Sequence, residues 1–164
     1  MTTERRRTRV LVAALVGLAL GLSATTASSD PTQAKTPVTL AEVASRVDGA
    51  ALPNVVELLR SDVESEIAAI DWDKTGLRNK TKKYTVSAAV VRLDSKREAD
   101  GLKATCTVSA TLREAKTGTL LAIVEGRAQA EEAPSAGARA QRGALAGAAR
   151  GAVTALPEAI RRTQ

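Results

Sequence analysis

Leu102–Arg113 reads LKATCTVSATLR, and its alternation is complete. Leu102, Ala104, Cys106, Val108, Ala110 and Leu112 are apolar, while Lys103, Thr105, Thr107, Ser109, Thr111 and Arg113 are polar. Successive side chains of a strand point to opposite faces, so a period of two predicts a strand with one face on a core and one on water. A slip of one residue would exchange the faces, so the register of any neighbouring strand is tightly specified.

Working outward, Tyr84, Val86, Ala88 and Val90 share one face of a preceding strand. Val91 and Leu93 then change the phase, which calls for a bulge or for burial on both sides. Asp94–Gly101 reads as a charged hairpin loop closed by Asp100–Gly101. On the other side Glu114–Gly118 turns the chain back, with Gly118 supplying a positive φ. The returning strand, Thr119–Ala130, places Leu120, Ala122, Val124, Gly126, Ala128 and Ala130 on one face. Leu121 and Ile123 open its other face before Glu125, Arg127 and Gln129 take over, so its start is expected to be buried on both sides.

Leu52, Val55, Val56, Leu59, Val63, Ile67 and Ile70 recur at helical spacing, with Pro53 in the first turn and an end near Trp72. Asp48–Ala51 reads as a turn. Val38–Val43 alternates as a strand, although Thr39 and Glu42 could instead form a capping box. Beyond Pro134, Ser135 can cap a second helix that runs to about Leu156, and Pro157 restarts it for a last turn. The fold class is therefore α+β: a two-layer sandwich with a small, mostly antiparallel sheet and two helices on one face. The sheet is a three-strand meander, with Val38–Val43 as the candidate fourth strand.

The chain opens with Arg5, Arg6, Arg7 and Arg9, then an uncharged run Val10–Leu22, then small residues. The run is shorter than the roughly 20 apolar residues of a membrane span and suits a secretory signal peptide cleaved after Ala27, with Ala24 and Ser29 as other sites and an uncleaved anchor as the rival reading. Residues 1–27 are assigned to that signal, 28–36 to a lead-in and 37–164 to a single domain. The expected location is exported, periplasmic or secreted. Removing four arginines and one glutamate lowers the formal charge from +6 to +3, which speaks to solubility and not to nucleic acid. No Cys stands directly after the apolar run, so the lipid anchor of a bacterial lipoprotein is not expected.

The chemical inventory is narrow. The chain has no His, which removes imidazole acid–base chemistry and His metal ligation. No nucleophile elbow or phosphate-binding glycine loop is present. Asp71 with Asp73 and Glu131 with Glu132 sit at element ends, where solvated charge is expected. No catalytic residue, cofactor site or metal site is assigned. Cys106, the only Cys, lies mid-strand on the apolar face and reads as a buried core residue. Arg78, Lys80, Lys82 and Lys83 form a basic connector that could meet an anionic envelope group. Gly143, Gly147 and Gly151 recur every fourth residue and give the last helix a smooth face for close packing.

The segments YTVSAAVVRLDS (84–95) and ATCTVSATLREAKTGTLLAIVEGRAQAE (104–131), between a helix with a long apolar stripe and a helix of small residues, resemble a known group. They look like the small α/β domains of bacterial envelope accessory proteins: the curli-secretion lipoprotein, the N-terminal domain of TolB and the lipoprotein activator of penicillin-binding proteins. Val108–Arg113 with Lys116–Gly118 matches the hairpin pattern of that group. The resemblance implies a non-catalytic domain that binds another envelope protein, and it transfers no functional residue. The expected partner face is Lys103, Thr105, Thr107, Ser109, Thr111 and Arg113. Two other readings stand beside this one: a module for a small apolar or anionic envelope ligand, and a hydrolase using carboxylates alone.

Overall fold

The computed structural model describes residues 36–47, 52–77, 81–99 and 101–164. The assigned signal peptide, the Asp48–Ala51 turn, Arg78, Lys80 and Asp100 lie outside the described residues. Strand β1 (Val38–Ser45) leads to helix α1 (Val55–Ala69), then to strands β2 (Tyr84–Arg97), β3 (Leu102–Glu114) and β4 (Leu120–Glu132). Helices α2 (Gly137–Thr154) and α3 (Leu156–Arg162) follow. The sheet order is β1-β2-β3-β4. The pair β1–β2 is parallel across α1, and the other two pairs are antiparallel. A parallel pair needs a crossover long enough to carry a helix, and α1 supplies it.

The alternation of β3 survives intact. Ala104, Cys106, Val108, Ala110 and Leu112 are all buried, whereas Lys103, Thr105, Thr107, Ser109 and Thr111 are only partly covered. Helix α2 lies over β3 and β4, and α1 lies over β1 and β2. The apolar face of β3 is thus covered mainly by the C-terminal helix, not shared equally with α1. Leu59, Val63 and Ile67 are the buried stripe of α1. On α2 five of the eight buried positions are alanine, and the others are Gln141, Leu145 and Val153.

Small residues let α2 approach the sheet closely. A Cβ on Gly126 of β4 would stand 1.9 Å from the carbonyl oxygen of Ala148. Across the same contact, Gly143 and Gly147 face the Cβ atoms of Ala130 and Ala128. The smooth helix face expected from the sequence therefore packs on β4. Two ion pairs bind the helices side by side: Arg142 grips both carboxylate oxygens of Asp62, one at 2.6 Å, and Arg150 bonds Glu66 at 2.9 Å.

One cause, the β-bulge, bears out the expected bulge at Val91 and corrects the expectations for β4. Register shifts occur between Leu40 and Glu42, between Val90 and Arg92, and in β4 opposite Leu112 and Arg113. Each bulge inserts one unpaired residue and resets the phase. Val91 is the extra residue in β2, so Leu93 returns to the core and is 6% exposed. In β4 the shift leaves Ala122 opposite Leu112 and Leu120 opposite Arg113. Leu120 therefore falls on the polar side, not with Ala122 and Val124. The start of β4 is not buried on both sides either: Leu120 is 49% and Ile123 61% exposed.

Three boundaries also differ. Strand β2 runs on to Arg97, which shortens the hairpin loop, and Glu98 N–H donates to Gly101 O at 2.8 Å. Pro53 precedes the left-handed Asn54 (φ 56°), so it lies just before α1 and not in its first turn. Ala136, without a side-chain cap, and not Ser135, stands at the N-terminus of α2. Gly118 takes φ 70° in the turn as expected, and Pro157 sits in the first turn of α3.

Cys106 is fully buried, and burial pushes its thiol from 9.0 up to about 11. A thiol reagent should label native protein far more slowly than protein in denaturant, because the thiolate is the reacting form and the native site suppresses it. The folded pKa is the raised one, so the native state holds the proton more tightly. This contribution to stability is complete below pH 9 and is lost as the pH rises through about 11. Rapid labelling of native protein at neutral pH would contradict the buried placement.

Candidate functional site

Among the described residues helices lie on one side of the sheet only, and the other face is open. Partnered residues in a ladder share a face, so the register identifies the whole surface. Lys103, Thr105, Thr107, Ser109, Thr111 and Arg113 form its central row. They are flanked on β4 by Glu131, Gln129, Arg127, Glu125, Ile123 and Leu120. On the β2 side stand Lys96, Asp94, Arg92, Ala89, Ser87 and Thr85, and on β1 Ala44, Glu42 and Thr39. The six residues expected at the partner face are therefore brought together on one surface.

Its relief follows from side-chain size. The middle of the face carries Thr, Ser and Ala, which are short and stand upright on the pleat. The longer charged side chains are held in pairs around this row, Arg92 and Arg127 standing on either side of Thr107. Lys103 meets Glu131 at 3.3 Å, Arg127 meets Glu125 at 2.8 Å, and Arg92 pairs with Asp94. Arg113 donates to Gly118 O at 3.0 Å. The result is a shallow depression of about 680 Å³ whose lining includes Val91, Thr105, Thr107, Glu125 and Gln129. A second, smaller hollow of about 120 Å³ lies over Glu42, Ala44, Ser87, Ser109 and Thr111.

Apolar residues missing from the sequence-based face are Val91, Leu120 and Ile123, the large hydrophobic side chains that remain exposed among the described residues. The phase change at Val91 was the available signal for the first. The other two were hidden by the bulge in β4. They turn a polar surface into a mixed one, with apolar contact area at the β4 margin.

The basic connector sits elsewhere. Lys82 approaches Glu114 at 3.8 Å, and the Lys83 carbonyl accepts from Ala115 N–H at 2.9 Å. Both residues are exposed at the sheet end where β3 enters its turn. Trp72 and Tyr84 do not form a joint surface. Trp72 is half-buried at the end of α1 and donates to Ile67 O at 3.1 Å, while the buried Tyr84 hydroxyl accepts from the Gln164 amide. Nor does the Asp71–Asp73 pair resemble an acid–base couple. Asp71 is exposed and is held below its ordinary pKa by a hydrogen bond from Lys74, 2.7 Å away. Among the described residues no group of three or more His, Cys, Asp or Glu could hold a metal ion. No helix among them is long and apolar enough to cross a membrane.

No protein-family model and no curated protein matches the sequence. Several solved structures match the fold. The protein XCC0632 from Xanthomonas campestris is 15% identical, with a TM-score of 0.51, covering 76% of this chain and 85% of its own. PelC from Paraburkholderia phytofirmans, solved as a dodecamer, is 14% identical with a TM-score of 0.47, covering 77% and 88%. A minor lipoprotein from Acinetobacter baumannii is 13% identical with a TM-score of 0.39, covering 74% and 94%. The fold class is thus a small α+β domain with one open sheet face. At these identities the likeness extends to the fold alone, and it does not assign the chain to any of the groups named for the hairpin pattern.

Proposed function

We propose that the protein is a non-enzymatic accessory domain exported to the bacterial cell envelope, and that it acts by holding another envelope protein against its open sheet face. The observation that carries this reading is the face itself. Strands β2, β3 and β4 surround a shallow depression in which Thr105 and Thr107 lie between Arg92, Glu125, Arg127 and Gln129, with Val91, Leu120 and Ile123 exposed on the same face. A flat centre of threonine and serine can accept a partner's backbone or side chains without exposing a large apolar patch when unbound. The paired charges at the margins give orientation. The partner is a protein that lays an extended, mostly polar segment across β2–β4 with apolar contacts towards Ile123. Envelope placement rests on the arginine-rich, apolar start of the sequence.

The test is affinity capture from the envelope of the source cell. Thr107→Arg and Ser109→Arg place long charged side chains in the flat centre. Surface substitutions of this kind usually change stability by no more than about 0.5 kcal/mol. Ser109→Arg, opposite Glu125 and Ala89, should therefore melt like the wild type, Thr107→Arg, set between Arg92 and Arg127, should keep a cooperative melt at a slightly lower temperature, and both should recover the partner poorly. Normal melting together with full recovery would move the binding surface off this face, the basic connector Arg78–Lys83 being the next place to look.

A further inference from the structure

The strand β4 ends the sheet on one side. Natural proteins usually blunt such an edge with short length, Lys, Pro or charges pointing inward. β4 is 13 residues long, contains neither Lys nor Pro, and pairs with β3 in unbroken register from Ala122 to Glu132. Its backbone direction can be read from the turn, where Glu114 N–H donates to Thr119 O at 2.9 Å. Hydrogen-bonding direction alternates along a strand, so even-numbered residues of β3 bond β4. Their partners on β4 are also even-numbered, including Ala122, Val124, Gly126 and Ala128. The peptide groups of Ile123, Glu125, Arg127 and Gln129 therefore point outward.

We propose that this edge pairs antiparallel with the same edge of a second copy of the chain, about a twofold axis through Gly126. Charge complementarity selects the occupant and the register. With Gly126 on the axis, Glu125 of each copy lies opposite Arg127 of the other, Val124 opposite Ala128, and Ile123 opposite Gln129. The outward-pointing residues Glu125 and Arg127 become hydrogen-bonded pairs across the axis. Centring on Glu125 or on Arg127 would set like charges directly opposite, which is unfavourable. Beside this edge Gly143 and Gly151 of α2 are exposed. From Gly143 to Gly151 the flank of α2 over β4 is glycine, and Arg150 is turned towards Glu66 on α1. The paired molecule would carry one continuous sheet of eight strands, with the open face doubled. This inference does not depend on the docking reading, because it concerns the purified protein alone.

The experiment is sedimentation equilibrium of the purified exported protein over a wide concentration range. It compares the wild type with Glu125→Arg, with Arg127→Glu and with the double exchange E125R/R127E. The wild type should show a monomer–dimer equilibrium. Each single reversal sets like charges opposite one another twice, and it should weaken the dimer by about tenfold or more. The double exchange should restore it. Melting curves of all four proteins confirm that the monomer fold is kept, since both sites are exposed. A monomer at every concentration, or a dimer indifferent to the single reversals, overturns the proposal. So does a monomer whose β4 edge is filled by an extended segment of a different protein.

Discussion

Replacing Gly126 with alanine is expected to destabilise the domain by about 3 kcal/mol or more, although the change adds one methyl group. In most strands this substitution is harmless or favourable, because alanine loses less chain entropy on folding than glycine. Here the added Cβ would stand 1.9 Å from Ala148 O and 2.4 Å from Ala152 N. Both are backbone atoms of α2, so no side chain can rotate away. The helix would have to rise off β4 and take its alanine row with it. The reciprocal change across the same contact has the opposite sign. A Cβ on Gly151 would meet Gly126 Cα at 3.4 Å, an ordinary contact. Gly151→Ala should therefore keep the packing and gain up to about 1 kcal/mol of helix propensity. Urea midpoints of the two variants check the pair. Equal midpoints would mean that α2 does not rest on β4 as described.

Val108→Asp is expected to abolish cooperative unfolding altogether. Val108 is fully buried at the centre of β3, on the face covered by α2. A carboxylate there has no cationic neighbour: the arginines of α2 that bond across the helices, Arg142 and Arg150, are committed to Asp62 and Glu66. An unpaired buried charge costs more than about 4 kcal/mol, a large part of the stability of a small domain. This core has little reserve, since the chain has no Phe and only one Trp and one Tyr. Circular dichroism should show no thermal transition for this variant. One position away, Thr107→Arg should retain a cooperative transition, lowered only slightly by Arg92 and Arg127 on either side. A cooperative melt near the wild-type temperature for Val108→Asp would place Val108 outside the core.

The contrast between neighbours 107 and 108 is the part of the molecule most legible in the sequence. Strict alternation over Leu102–Leu112 leaves a single assignment of faces, and the central row of the open face follows directly. The stripe Leu59, Val63 and Ile67 was legible for the same reason, because its 3.6-residue period has no rival. What could not be read was the phase of β1 and β4. A bulge costs one residue; at Val91 a change of phase announced it, but at Ala41 and Leu121 the insertion had no signature of its own. Leu120 and Ile123 were accordingly placed in the core when they belong to the open face. The parallel pairing of β1 was also invisible, since pairing direction depends on the path of the crossover and not on the alternation of either strand. The glycines of α2 announced close packing, but their target, β4, depended on which strand lay at the edge.

The function assigned to the open face is tested most directly by site-specific photocrosslinking in the intact envelope. A photoreactive residue is placed at Ser109, in the flat centre of the sheet, and separately at Ser65, exposed on the outer side of α1. Crosslinks to one discrete envelope protein from position 109, with none from position 65, are the result expected. Crosslinks from position 65 alone would contradict the account and move the working surface to the helical layer.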